Sequence, residues 1–203
     1  MYKPRKKEAF LKMGSLFFAA LFLFSGCGKT TVSSEPESAA GFALDTVISV
    51  TIYGGEKGLA DACISMCETY DSLFSRTKEG SDIYKINHAG GSPVEVSEET
   101  ISLLETALSY SELSDGAFDC TIAPVSSLWN FQDNSGTLPD PETLAEAVSL
   151  VDYHTVEMKD LTVTLKNPKA ALDLGGIAKG YIADRLQDFL TEKGVTGAVI
   201  NLG

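Results

Sequence analysis

Positive charge is scarce in this chain of 203 residues. Only 16 Lys and Arg stand against 28 Asp and Glu, a formal net charge of −12. A surface of that sign repels phosphate backbones and anionic lipid heads, which excludes nucleic acid as a partner. Histidine is scarcer still. His88 and His154 are the two in the chain, and neither has a Ser-His-Asp or metal-ligand spacing around it. Cysteine is limited to Cys27, Cys63, Cys67 and Cys120. With Cys27 set apart near the N-terminus, an odd number remains, so there is no disulfide framework. Cys63 and Cys67 lie four apart on a predicted helix, but no second His/Cys cluster accompanies them. Cys63 shares an apolar face with Leu59, Met66 and Tyr70, so buried structural thiols are expected rather than a metal pair. Internal repeats are absent. The longest apolar run, Leu16 to Phe24, is too short to span a bilayer comfortably.

What is present begins with that run. Lys3, Arg5, Lys6, Lys7 and Lys12 precede it, and Ser25-Gly26-Cys27 follows. This is the layout of a bacterial export signal over residues 1–26. Phe24-Ser25-Gly26-Cys27 resembles a lipobox, with Cys27 lipidated as the mature N-terminus; Phe24 departs from the usual Leu. An ordinary signal peptide or an uncleaved anchor is the alternative. Removing residues 1–26 leaves 11 basic and 27 acidic residues, a formal charge of −16. Residues 27–40, rich in Ser, Thr, Glu and Pro, read as a flexible tether. The expected location is the bacterial cell envelope, exported and lipid-anchored to the membrane.

From residue 41 onward the pattern is that of a folded domain. Phe42 to Tyr53 alternates as a strand and ends at Gly54-Gly55. Residues 57–74 have helical apolar spacing. A polar loop, 75–81, leads to Ile83–Asn87. Val94–Val96 is a short strand. Ser97 is an N-cap for a helix over 98–113, with Val96 and Ile101 as a hydrophobic staple. Residues 117–131 read as irregular and aromatic-rich. Asp140-Pro141 opens a short helix. Val156–Met158 and Leu161–Leu165 form a hairpin across Lys159-Asp160. A helix over 177–192 and a strand over 198–202 complete the chain. Strands and helices mix with hairpin-type connections, which predicts an α+β fold rather than an alternating parallel sheet.

Three constellations could carry chemistry. Asp173-Leu174-Gly175-Gly176-Ile177-Ala178-Lys179-Gly180-Tyr181 sits where a strand gives way to a helix. Free backbone N–H groups and the helix dipole suit an anion there. The glycine spacing is not G-x-G-x-x-G, and Tyr181 stands where a P-loop needs Lys. A phosphate cradle and a merely steric glycine turn fit equally well. Gly116-Ala117-Phe118-Asp119-Cys120, with Pro124, Trp129 and Phe131 beyond it, could take a flat ring with N–H donors on its edge; a core-packing loop with a solvated Asp fits locally better. Ser75-Arg76-Thr77 with Ser81-Asp82 and Asn87 reads by itself as a capped surface loop.

In one order along the chain, these motifs closely resemble the ApbE family, the FAD:protein FMN transferases. The order is the leader and Cys27, Leu44-Asp45-Thr46-Val47, Phe74-Ser75-Arg76, Ala117-Phe118-Asp119, the Asp173–Tyr181 turn, then Asn201-Leu202-Gly203. The resemblance implies an ApbE-like (T-fold-like) antiparallel sheet with packed helices. It also implies Mg²⁺-dependent transfer of FMN from FAD to a Thr or Ser hydroxyl of target proteins, and some members instead hydrolyse FAD. The expected partners are FAD and acceptor proteins of membrane or exported redox systems.

The implied flavin-nucleotide contacts are Leu44, Thr77, Ala117, Phe118, Asp119, Asp173 and Lys179, and Gly176 would offer a backbone carbonyl to Mg²⁺. Leu44 and Thr77 depart from the family's usual Met and aromatic. Family members run to about twice the length of this domain. Their second half carries the Asp and Thr metal ligands and the groups proposed to activate the acceptor. The expectation is therefore an N-terminal portion, 41–203, truncated before the second half. Its catalytic residues would lie elsewhere, it would have no transferase activity alone, and its independent folding is in question. The competing expectations are an FAD-binding or FAD-hydrolysing lipoprotein without transfer, and a structural lipoprotein without ligand.

Overall fold

The computed structural model describes residues 35–129 and 137–203; the leader, Cys27, Asn130 and Phe131 lie outside the described residues. Two three-stranded antiparallel sheets and six α-helices are present among them.

The first sheet begins earlier than the tether reading allowed. β1 (Glu37–Ala43) pairs with β2 (Thr46–Tyr53) in a hairpin, so the strand expected over 42–53 is two strands. Ala43 faces Thr46, leaving Leu44-Asp45 as a two-residue turn. Both turn residues have positive φ, 56° and 58°. That is the primed turn which matches strand twist, made here without the usual glycine. Ile48, Val50 and Ile52 alternate inward from β2 and are fully buried. β6 (Gly197–Asn201) pairs on the other side of β2, giving the order β1-β2-β6.

Helix α1 (Leu59–Phe74) packs across β1 and β2. It buries Leu59, Cys63, Cys67, Tyr70 and Phe74 on one stripe. At Gly41 a Cβ would stand 2.7 Å from Ile64 Cγ2, so glycine is what lets helix and strand approach there. All three described cysteines are free and buried, as expected. Burial pushes the Cys63 and Cys67 thiols up to about 11, which leaves them protonated and inert.

The stretch at Ile83 is a helix in the structure, α2 (Asp82–His88), with Ser81 as its cap. The Asp82 carboxylate reaches on to Ser97 N and Thr100 Oγ1, both at 2.9 Å. It thereby ties the start of α2 to the start of α3 (Glu98–Leu113), whose Ser97 cap is as predicted. Burial pulls the Asp82 pKa upward. Bonds from Ser97, Thr100 and Lys85 outweigh that and hold it below the ordinary carboxylate value. A single turn, α4 (Ala123–Ser126), interrupts the segment read as irregular. α5 (Pro141–Val148) carries the expected Asp140 cap.

The second sheet is β3 (Val94–Glu95), β5 (Thr162–Leu165) and β4 (Val156–Lys159), in that order. Lys159 pairs with Thr162, so the β4–β5 turn is Asp160-Leu161, one residue later than predicted. The last helix, α6 (Ala178–Glu192), buries Ala178, Ile182, Leu186 and Leu190. Leu103, Leu104, Leu172 and Leu174 join them in the core.

Candidate functional site

The glycine turn is fixed from both sides before any ligand is considered. Asn87 brackets Leu172: the Leu172 N–H donates to Oδ1 at 2.7 Å, and Nδ2 donates to the Leu172 carbonyl at 2.9 Å. One residue on, Asp173 N donates to the Cys120 carbonyl at 2.9 Å. Ala171 and Ile122 form a parallel bridge. Residues 120–122 and 171–173 thus lie side by side.

The Asp173 carboxylate then organises the turn. Oδ1 accepts from Gly175 N at 3.0 Å, and Oδ2 accepts from Ser126 Oγ at 2.8 Å. Arg76 Nε stands 3.2 Å from the same Oδ2, and Arg76 Nη1 donates to Ser127 Oγ at 2.9 Å. α6 starts with Ile177 at its cap position and no side-chain cap.

Two clefts flank the turn. One, of about 310 Å³, is lined by Leu44, Asp45, Asp71, Phe74, Ser75, Arg76, Thr77, Asp173, Leu174, Gly175, Ala178 and Lys179. Its charges are largely matched. Lys78 pairs with Asp71 and Arg76 with Asp173. Lys179 makes no ion pair with the described residues. The other cleft, of about 500 Å³, is aromatic: Tyr110, Phe118 and Tyr181 line it with Gly176, Asp184 and Arg185. A Cβ on Gly176 would stand 3.3 Å from Phe118 Cε2, so the glycine lets the turn lie against that ring. The Arg185 guanidinium sits 5.3 Å from the Tyr181 ring centroid, a cation–π distance.

The sequence-predicted residues therefore divide. Leu44, Thr77, Asp173 and Lys179 meet in the smaller cleft. Phe118 and Gly176 line the larger one. Ala117 and Asp119 line neither. Asp119 is committed to structure: Oδ1 accepts from Thr121 N at 2.7 Å and Thr121 Oγ1 at 2.6 Å, and Oδ2 accepts from Tyr153 N at 3.0 Å. Thr121 Oγ1 in turn accepts from Asp152 N at 2.9 Å. The carboxylate is not a solvated one, because it staples the loop to the turn before β4. Beside it, burial first and the Asp119 charge second push the Cys120 thiol up to about 12.

Ser126 is the residue that sequence reasoning missed, while Arg76 and Asn87 enter it only within a loop motif and without their partners. Arg76 stood in a motif read as surface loop, and its partners lie far along the chain. Both histidines serve locally: His88 Nδ1 is 2.8 Å from the Tyr84 carbonyl, and His154 Nδ1 is 2.8 Å from Asp152 Oδ1.

The fold and cleft define an α+β domain with a small-molecule-sized cleft at a strand-to-helix turn. A model of the ApbE family matches residues 44–203, and this chain belongs to that family. The FAD:protein FMN transferase of Klebsiella pneumoniae (strain 342) is 35% identical over 159 residues, covering 77% of this chain and 50% of that protein. The FAD:protein FMN transferase of Treponema pallidum (strain Nichols) is 32% identical over 147 residues, covering 68% and 41%. Among solved structures, the ApbE protein of Thermotoga maritima superposes with a TM-score of 0.74 at 34% identity, over 82% of this chain and 57% of that one. The flavin transferase ApbE of Vibrio cholerae shares the fold with a TM-score of 0.74 at 22% identity, over 83% and 58%. The chain spans about half the length of the curated relatives it matches.

Proposed function

We propose that this chain is the flavin-nucleotide-binding portion of a Mg²⁺-dependent FAD:protein FMN transferase, exported and lipid-anchored at Cys27 in a bacterial envelope. The observation that carries this is the convergence of Leu44, Thr77, Asp173 and Lys179 on one cleft. Three separated segments supply them, the Leu44 turn, the Thr77 loop and the Asp173–Lys179 turn, at positions inside the family match. In the reaction, an acceptor Thr or Ser oxygen bonds to the FMN phosphorus. The P–O bond to AMP breaks, and the hydroxyl gives up its proton.

This chain's share is positioning and charge. Lys179 faces the diphosphate. Asp173 keeps the glycine turn in shape, and Leu44 and Thr77 line the flavin side. When bound, Mg²⁺ offsets charge developing on the diphosphate. The described residues do not make a metal site by themselves. No three of their His, Cys, Asp or Glu side chains converge, and Asp173 is already engaged. Gly176 offers at most a backbone carbonyl.

Fluorescence titration of FAD onto the purified chain, with and without Mg²⁺, tests the reading. Saturable FAD binding is the expected result, and absence of binding under both conditions overturns it. Acyl-lipid labelling lost in Cys27→Ala is the expected sign of the anchor. A second reading, FAD hydrolysis without transfer, is favoured by exposed Thr77 where the family commonly has an aromatic. AMP release from FAD in the absence of acceptor would support it.

A further inference from the structure

We propose that Arg76 is a diphosphate-recognising residue of this cleft, held in position by Asp173 and Ser127. The proposal rests on the FAD reading above for the identity of its ligand. A guanidinium carries five N–H donors in a planar fork. Here Nε faces Asp173 Oδ2 at 3.2 Å, and one Nη1 hydrogen goes to Ser127 Oγ at 2.9 Å. Two contacts from different segments fix the plane of the group. Its other N–H groups have no partner among the described residues. The side chain lines the cleft and is about one-third exposed (35%), so those donors are within reach of a ligand.

Charge points the same way. Asp45, Asp71 and Asp173 all line the cleft of a chain with net charge −12, yet Asp71 is matched by Lys78 and Asp173 by Arg76. Arg76 thus cancels the carboxylate nearest the glycine turn and presents a fixed fork beside it. Lys179, on the adjoining first turn of α6, adds a mobile point charge. A planar fork plus a point charge suits two linked phosphates, because Arg gives bidentate geometry and Lys does not.

The test uses the full chain in detergent with FAD, inorganic pyrophosphate and riboflavin as probes. Arg76→Gln should weaken FAD and pyrophosphate binding by about tenfold to a hundredfold, as expected for a charge-assisted bidentate contact. It should leave riboflavin, which has no phosphate, unmoved. Arg76→Lys should recover only part of the loss. The double variant R76Q/D173N should stay weak. Full recovery in the double variant would reduce Arg76 to a neutraliser of Asp173 and overturn the proposal. Equal losses for riboflavin and FAD would mark a structural role and overturn it too, as would an R76Q variant that binds FAD like the parent. Arg76-dependent pyrophosphate binding without FAD binding would sustain the anion role and sink the flavin reading. Binding of neither by the parent chain would sink both.

Discussion

Asp119 and Asp173 are two aspartates in short polar turns joined by one backbone link: Asp173 N donates to the carbonyl of Cys120, next to Asp119. Sequence and family position nominate both as ligand contacts. The structure gives them different work. Asp119 spends both oxygens on backbone and hydroxyl donors of its own protein. Asp173 shares its carboxylate with an arginine that lines a cleft. A carboxylate's meaning is set by what already satisfies it. One bonded only to backbone and hydroxyl donors holds the scaffold, and one paired with an accessible cation tunes a site.

The comparison breaks most sharply at Asp119. Asp119→Ala removes a charged acceptor from three donors, two of them on or next to buried Thr121. The expected loss is about 3 kcal/mol in denaturant unfolding, from charge-assisted bonds left unmade. FAD affinity of the folded fraction should stay unchanged. Lys179→Met gives the opposite profile: FAD binding about tenfold weaker, roughly 1.4 kcal/mol, with stability moved by no more than about 0.5 kcal/mol. A large stability loss there would blur the contrast. Thr77→Tyr restores the ring common in the family and should tighten FAD binding by about 1 kcal/mol through stacking, read by fluorescence titration.

The smallest effect concerns Cys120. Its thiol pKa lies near 12, because burial and then Asp119 disfavour the thiolate. The stability this contributes is full below the ordinary thiol value and is lost as pH rises toward 12. At pH 8, alkylation of Cys120 in the native chain should be negligible. Asp119→Ala should speed it by loosening the loop, and Asp173→Asn should leave it slow. Equal acceleration in both would show that the two turns open as one unit.

Much of the scaffold was legible because local rules and the fold agree. The stripes of α1 and α6, the Ser97 and Asp140 caps and the β4–β5 hairpin follow from spacing and cap chemistry. The β1–β2 hairpin was hidden because Leu44-Asp45 takes positive φ without Gly or Asn to announce it. A non-glycine residue in that region costs on the order of 1 kcal/mol. β1 itself was hidden under a linker-like composition, and pairing with β2 overrides that composition. In the site, Lys179 and Asp173 were legible from the glycine turn. Arg76 was not, because its role depends on Asp173 and Ser127, which local pattern cannot bring near. Asp119 shows the converse, since a motif names a residue but not its hydrogen-bond partners.

The Asn87 bracket on Leu172 spans 85 residues of chain. Closing a loop of that length costs about 4 kcal/mol of chain entropy. The Arg76–Asp173 contact lies beyond that closure, so the cleft exists only once the two ends of the domain have been joined. Ligand occupancy is then a readout of folding as a whole. A nucleotide that binds the closed cleft raises the melting temperature of the entire domain, by an amount set by its concentration relative to Kd. A screen of thermal shift against added flavins and phosphates would report on assembly and recognition in one measurement.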